Sequence, residues 1–429
     1  MLHAGAFLFM EIAALYKLFL SHPFVSTDSR SIPAGGLFFA LKGDRFDGNL
    51  FAGAALESGA AYCIIDDPAY VISDRCILVD DVLLTLQELA QTHRASFKFP
   101  VLAITGSNGK TTTKELCREV LSKKYRTHAT KGNLNNHIGV PLTLLSAPRD
   151  TEFMIVEMGA NHQGEIDSLC NIALPDFVMI TNIGRAHLEG FGGPEGVKKG
   201  KSEMYRYAAS SGGCIFLNTN DEVLVSVVPP GADIIPYRAD TIQMHETPGK
   251  TLVFQYMNQM VDTRLYGSYN IPNIAFAIAA GEYFGIPSED VVHAISGYTP
   301  DNNRSQVIQK GSITYIKDAY NANPSSMRAS LEQFMSVRAP KRIIVLGDML
   351  ELGAYSKDAH LEIIDMASKG GFSEMIFIGP CFYEAGENLS GNYFTDTDAA
   401  RAYFNEIDKE NATVLLKGSR GIAVEKLLD

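Results

Sequence analysis

The run Thr105-Gly106-Ser107-Asn108-Gly109-Lys110-Thr111-Thr112 follows the apolar stretch "VLAI" and leads into "KELCREVL", which has helical spacing. Glycine at 106 and 109 lets backbone N–H groups approach phosphate oxygens closely, and the helix N-terminus behind them adds a favourable dipole. Lys110 would neutralise β- and γ-phosphate charge, and the Thr111 hydroxyl would ligate magnesium. The remaining residues, Thr105, Ser107, Asn108 and Thr112, complete a loop shaped for a nucleotide. The standard Walker spacing places a glycine five residues before Gly109, where this chain has Ile104. The loop is therefore phosphate-binding in character without being a generic Walker loop.

Two further stretches carry candidate ligands. "IVEMGANHQGEI" ends an apolar strand on Glu157, in the crevice where parallel sheets hold their ligands. "TNIGRAHLEGFG" puts His187 just after the next strand. Glu157 suits magnesium, and His187 would add a ligand, although a lone histidine there is more often a structural hydrogen-bonder. "GPEGVKKGKSEMYR" then opens a helix with Pro194 in its first turn and Glu195 near its positive end. Taken alone, Lys198, Lys199 and Lys201 read as a solvated basic face.

The elements that must position these groups exceed a single core. A chain of 429 residues calls for two or three domains. Its formal charge of −12 offers no long-range attraction to nucleic acid or an anionic membrane, so an anionic substrate must be gripped by local groups. The six cysteines include no C-x-x-C pair, which fits buried thiols in a reducing cytoplasm better than zinc or a redox dithiol. At the N-terminus, Leu8, Ile12, Leu15 and Phe19 recur at helical spacing, and no basic segment leads them. An amphipathic helix is expected there rather than a signal peptide, with Met10 an alternative start. No uninterrupted apolar run reaches the ~18 residues of a membrane span, so no membrane insertion is expected.

The coarse pattern is α/β throughout. Short strands and turns, "GGLFFALKG", "AYCIID" and "CILVDD", fill a small N-terminal domain, residues 1–97, closed by a helix near "LLTLQELAQTHRAS". Strand–helix alternation through "FPVLAITG", "FMIVEMG", "FVMITNIG" and "GCIFLN" gives a central domain, 98–304, with a mostly parallel sheet. A third alternating unit, 305–429, carries "ITYIKDAY", "RIIVLGD", "MIFIG" and "ATVLLKGS" and reads as a Rossmann-like layer sandwich.

Together, "TGSNGKTT", "GNLNNHIGVP", "VEMGANHQGEI", "TNIGRAHLEGFG" and "KSEMY" resemble the Mur ligase family, ATP-dependent amide ligases of bacterial cell-wall precursor synthesis. That family's loop lacks the first Walker glycine. "STDSRSIPAGGLFFALKGDRFDGNLF", "KDAYNANPSSM", "LGDMLELG" and "LLKGSRG" resemble the branch that joins D-alanyl-D-alanine to UDP-N-acetylmuramoyl-tripeptide. Asn49 departs from this pattern, since members commonly carry histidine there.

The resemblance implies ATP, two magnesium ions and a carbamylated Lys201, with Glu157 and His187 sharing that metal site. It implies Asn270 and Asn273 on the adenine side, Arg304 at the γ-phosphate and Asp318 at the ribose. Each has a plainer alternative: Asn270 as a helix cap, Arg304 as a surface charge, Asp318 as a turn residue. For the sugar nucleotide Ser29, Arg30 and Lys42 are the candidates, unless they form a capped turn with a solvated lysine, with Asn135 and Asn136 reaching the donor unless they are turn formers. For the dipeptide it implies Asn321, Asn323 and the turn of Lys417, Ser419 and Arg420. A monomer in the cytoplasm is expected. The rivals are the relative that adds the third amino acid, folylpolyglutamate synthase, and a nucleotide switch or ATPase without ligation. The first would carry a "DNPR" stretch, which is absent here; the second does not explain the front segment. The last explains neither Lys201 nor "DAYNANP".

Overall fold

The computed structural model describes residues 10–245, 251–257, 259–301 and 303–429. Three α/β layers follow one another along the chain. The first has a four-stranded parallel sheet in the order Val25–Ser26, Leu37–Phe39, Tyr62–Ile65, Cys76–Leu78. The N-terminal helix runs Ile12–Ser21 and buries Leu15 and Phe19, while Leu8 lies outside the described residues. The helix Val82–Ala95 begins at Asp81, whose carboxylate accepts from Leu84 N at 2.8 Å.

That helix belongs to the first segment but lies against the second. Gln87 and Gln91 donate to the carbonyls of His137 and Asn171 at 3.0 and 2.8 Å. Arg94, 7% exposed, donates to the carbonyls of Ala173 and Leu174 and pairs with Asp176 at 2.8 Å. These carbonyls end the helix Glu165–Ala173, so Arg94 satisfies groups that have no partner inside that helix. The core is continuous across this junction, from Leu15 and Leu86 to Val140 and Leu169.

The central sheet is entirely parallel, in the order Asp233–Tyr237, Cys214–Asn218, Phe177–Ile180, Val101–Thr105, Phe153–Glu157, Thr127–Ala129. Every residue of Val101–Thr105 and Phe153–Glu157 is buried, because helices cover both faces. The strand that feeds the glycine loop therefore sits between the one ending in Glu157 and the one leading to His187. Ile104 is fully buried within the strand, which explains the absent glycine: the chain is still paired in the sheet at that position. The helix Lys110–Leu121 packs on Ile271–Tyr283, where a Cβ at Gly281 would meet Val120 Cγ1 at 2.7 Å. A separate antiparallel sheet, Gln243–His245, Val253–Tyr256 and Gln259–Asp262, was not expected from the sequence. Its strands are short and their polar residues conceal the alternation.

The C-terminal sheet runs Gln306–Lys310, Ile313–Asp318, Ala412–Lys417, Lys341–Gly347, Glu374–Ile378, Asn392–Phe394. Only the first pair is antiparallel. The two edge strands were missed in the sequence because they are only partly buried. Among the described residues no helix is long and apolar enough to cross a membrane. All six cysteines are free thiols, four of them buried.

Replacing Arg94 with alanine would strand two helix-end carbonyls and remove a charge-assisted contact. Arg94→Ala is expected to lower the unfolding free energy by roughly 2–3 kcal/mol, read by urea denaturation. An unchanged midpoint would show that water replaces the guanidinium at no cost.

Candidate active site

A cavity of about 620 Å³ opens at the carboxyl ends of the central strands, roofed by the C-terminal domain. Its wall includes Ser107, Asn108, Gly109, Lys110, Thr111, Thr112, Asn135, Asn136, Glu157 and His187 from the central domain. Asn270, Asn273 and Arg304 also line it, as do Asp318, Asn321, Asn323 and Lys417 from the opposite side. The sequence candidates that it does not bring to this wall are Thr105, Gly106, Lys201, Ser419 and Arg420, together with Ser29, Arg30 and Lys42 of the first domain.

The loop's shape depends on two glycines. Gly109 has φ 83°, and a Cβ there would meet Asn273 Oδ1 at 2.5 Å. A Cβ at Gly106 would meet Thr181 Oγ1 at 1.9 Å. Asn182, unnoticed in the sequence, braces the loop by accepting from Asn108 N at 3.1 Å and donating to Asn108 O at 3.0 Å. Lys110 Nζ donates to the loop carbonyls of Gly106 and Ser107 at 2.7 and 3.3 Å. Desolvation, with Arg304 adding repulsion against the pull of Glu157, lowers its pKa to about 8. A polyanion entering the loop would restore its charge. Thr105 is structural: its hydroxyl donates to Met158 O at 2.7 Å.

Glu157 is the last residue of its strand and only 1% exposed. Its Oε1 accepts from Asn135 Nδ2 at 2.8 Å, but Oε2 has no hydrogen-bond donor, and Lys114 Nζ stands off at 3.8 Å. Leaving a buried carboxylate oxygen unpaired is costly unless a cation arrives. Thr111, whose side chain makes no hydrogen bond among the described residues, lines the same cavity, so this donor set fits magnesium. Lys114 escaped the sequence reading, although it is one helical turn beyond Lys110. It is fully buried, donates to Thr130 O at 2.6 Å and pairs with Glu115 at 2.8 Å.

Lys201 corrects the solvated-face alternative. Lys199 is exposed, but Lys201 ends the helix Pro194–Lys201 with no exposed surface. Among the described residues its Nζ has a single hydrogen bond, to Ala160 O at 3.3 Å, and lies 5.2 Å from the centre of the Phe191 ring. Burial, then the charge of Lys110, pushes its pKa well below the lysine range. Nearby Glu203 does not pair with it, because its carboxylate caps the helix at Glu165 through Gly164 N and Asp167 N at 2.6 and 3.1 Å.

The helix-cap alternative for Asn270 fails. Its side chain caps nothing, since Nδ2 donates to Tyr266 O and Ser305 Oγ at 2.8 and 3.0 Å. Its Oδ1 accepts from Asn273 Nδ2 at 2.9 Å, and Asn273 Oδ1 accepts from Thr113 at 3.0 Å. Arg304 is not a free surface charge: its guanidinium lies 3.8 Å from the Tyr320 ring centre, with Nε buried and without a partner. Asp318 is not a bare turn residue either. Strand register sets it beside Lys417, and it also accepts from Ser330 Oγ at 2.9 Å. Burial opposes its ionisation, but Lys417 and Ser330 outweigh that and hold its pKa below the usual carboxylate range.

Several substrate candidates have structural roles here. Asn136 accepts from Gly139 N at 2.9 Å at the start of Gly139–Leu145, as a turn former would. Asn323 caps Pro324–Met335 and donates to Asn108 Oδ1 at 2.7 Å. Asn321 accepts from Ala322 N at 2.9 Å. Ser419 accepts from Leu350 N at 3.0 Å, and Arg420 is exposed, 5.5 Å from the Tyr320 ring centre. Arg30 is exposed and forks onto Asp28, and Ser29 is half-buried beside it. Lys42 pairs with Asp66 at 2.8 Å. Asn49, the departure from the family pattern, is fully buried and donates to Asp47 and Asp66 at 2.8 Å each, so it holds Lys42's partner in place.

Three domain families match in chain order: the "Mur ligase family, catalytic domain" over residues 22–94, the "Mur ligase middle domain" over 104–281, and the "Mur ligase, glutamate ligase domain" over 303–420. This chain belongs to the Mur ligase family. It is 36% identical over 425 residues to the UDP-N-acetylmuramoyl-tripeptide–D-alanyl-D-alanine ligase of Bacillus subtilis (strain 168), covering 94% of this chain and 92% of that protein. Among solved structures it is similar to MurF from Acinetobacter baumannii, with TM-score 0.84 and 31% identity over 94% of this chain and 92% of that one. It is also similar to the MurF ligase of Thermotoga maritima in complex with ADP, with TM-score 0.82 and 27% identity over 94% and 96%.

In this Mur ligase the buried Lys201 amine is a liability to folding at neutral pH. Its pKa is lower in the fold than in the unfolded chain, so folding must strip a proton or bury a cation. Either cost is largest below the folded value and fades as pH rises through the ordinary lysine range. Lys201→Met, in bicarbonate-free buffer at neutral pH, is therefore expected to stabilise the protein by on the order of 1 kcal/mol or more. The gain should shrink as pH approaches the unfolded value, and a variant less stable than wild type at neutral pH would show that Lys201 is paired after all.

Proposed function

We propose that the protein is an ATP-dependent ligase that joins D-alanyl-D-alanine to the terminal carboxylate of UDP-N-acetylmuramoyl-tripeptide, in cytoplasmic synthesis of peptidoglycan precursors. The observation that carries this reading is that all three Mur ligase domains are present in order, with the middle and C-terminal ones walling one cavity around a glycine-rich loop. The nearly full-length likeness to the Bacillus subtilis ligase supports the choice of donor and acceptor. The likeness to an ADP-bound relative supports ATP.

The chain's residues divide the work. The loop's backbone N–H groups and Lys110 hold the β- and γ-phosphates, while Asn270, Asn273 and Asp318 stand on the nucleoside side. Two magnesium ions, when bound, would screen the charge of the phosphates and the attacking carboxylate. Thr111, Glu157 and His187 are the groups that would hold them, with Lys201 as a carbamate. Arg304, delivered beside Tyr320 from the start of the C-terminal unit, offsets charge on the γ-phosphate. The donor carboxylate attacks the γ-phosphorus, ADP departs, and an acyl phosphate forms. The deprotonated amine of the dipeptide then attacks the acyl carbon and expels phosphate.

Lys201 is suited to carbamylation because its amine is dry, unpaired and biased to the neutral form. Its nitrogen would add to carbon dioxide and lose one proton, which turns a would-be cation into a carboxylate facing the metal. Asn321, Asn323, Lys417, Ser419 and Arg420 stay as acceptor-side candidates, and Ser29, Arg30 and Lys42 as sugar-nucleotide candidates. The protein acts as a monomer on this reading.

Two measurements test it. Purified protein given ATP, magnesium and the UDP-tripeptide should ligate D-alanyl-D-alanine far better than D-alanine, L-lysine or diaminopimelate, with product mass and phosphate as readouts. A pocket built around a distant carboxylate leaves its donors unpaired with a shorter acceptor, which can cost ~10⁴-fold. Equal incorporation of a single amino acid would reassign the acceptor. Incubation with ¹³C-bicarbonate should give a carbamate carbon resonance that Lys201→Ala lacks; an identical spectrum from that variant would remove the carbamate.

A further inference from the structure

His187 and Glu351 come from different domains and meet at the edge of the cavity. Both hold left-handed backbone, with φ of 53° and 62°. Non-glycine residues rarely adopt that conformation, and it persists only where surrounding structure enforces it. The Glu351 carboxylate makes an ion-pair contact with His187 Nδ1, although the alignment falls short of a well-formed hydrogen bond. The backbone reinforces the approach, because Glu351 O accepts from Glu189 N at 3.2 Å. His187 Nδ1 is sealed from solvent, whereas the Glu351 side chain is 53% exposed. Among the described residues His187 Nε2 has no protein partner, and the ring lines the cavity with Glu157.

We propose that Glu351 is a positioning residue for His187, which takes up Nδ1 so that Nε2 is left as the lone-pair face presented to magnesium. The inference rests on reading the cavity as a magnesium-dependent ATP site. A neutral imidazole has one N–H and one lone pair, and whichever group engages one nitrogen decides which is free to bind metal. Burial leaves Nδ1 no water to donate to, so among the described residues the carboxylate is the acceptor in contact with it. Docking of the domains does not need this pair. Arg185 already pairs with Glu362 at 2.9 Å, alongside Arg328, and Arg185 N donates to Ser325 Oγ at 2.9 Å. Because Glu351 belongs to the C-terminal domain, the ring is set for metal only when that domain is seated.

The test uses the full chain with a non-hydrolysable ATP analogue and Mn²⁺ as the probe, with free Mn²⁺ read by electron paramagnetic resonance. Glu351→Ala and His187→Ala should each weaken Mn²⁺ binding by about 10–100-fold, the usual effect of losing an outer partner or a ligand. The double variant should be no weaker than His187→Ala, since Glu351 acts through His187. Glu351→Gln keeps an oxygen acceptor and should retain most of the affinity, which also serves if the alanine variant unfolds. In turnover, Glu351→Ala should raise the Mg²⁺ needed for half-maximal rate while kcat at saturating Mg²⁺ recovers. Wild-type Mn²⁺ binding by Glu351→Ala, with His187→Ala weakened, overturns the proposal and leaves the metal site standing. Additive losses in the double variant also overturn it. Wild-type binding by His187→Ala would remove His187 from the metal site, and the proposal with it.

Discussion

A concentration of charge that the protein does not neutralise by itself governs the structure. Lys114 and Lys201 are fully buried without lining the cavity, whereas Lys110 and the buried carboxylate of Glu157 line it. Among the described residues Lys201 has no anionic partner, and one oxygen of Glu157 has no donor. Such groups are tolerated only when a ligand completes them, because burying an unpaired charge costs several kcal/mol. A triphosphate would supply charge of the sign that the lysines lack. The −12 net charge of the chain makes this local arrangement necessary, since nothing at long range draws an anion in.

The sheets hold these charges in place. Strand order in the central sheet puts the phosphate loop between Glu157 and the segment leading to His187, so one crevice receives groups from three neighbouring strands. Helix packing then sets another part of the wall: Asn273 lies against Gly109 and Thr113 because two helices cross closely at Gly281. The C-terminal domain adds the opposite wall through strand register, with Asp318 beside Lys417 at the ends of paired strands. Hydrogen bonds join it to the central domain, Asn323 to Asn108 in the loop and Arg185 to Ser325, alongside an apolar core that runs across both domains.

Helix-capping and turn chemistry overlap with substrate chemistry in this chain. Asparagine serves as cap, brace and candidate ligand at once. Asn323 caps a helix, Asn136 holds the turn before Gly139–Leu145, Asn182 and Asn135 hold the loop and Glu157, and Asn270 pairs with Asn273. An amide offers both a donor and an acceptor without charge, so it satisfies loop backbone while leaving the cavity's electrostatics to the lysines and carboxylates.

Local sequence determined the elements whose signal lies within a few residues. The glycine loop opening a helix, Glu157 at a strand end, Pro194 starting a helix and the α/β alternation of three domains all follow from short-range sterics and burial periodicity. Tertiary structure decided what depends on distant partners. Lys199 and Lys201 are two positions apart in one basic run, and only packing against Phe191 and Ala160 separates the exposed cation from the dry amine. Nothing local singled out Lys114, and only the sheet brings Glu157 within 3.8 Å of it. Glu351 lies in the family-like stretch "LGDMLELG", but its contact with His187 joins two domains and no local pattern shows it. Burial and charge pairing are properties of three-dimensional neighbours, and a pattern of residue types along the chain does not contain them.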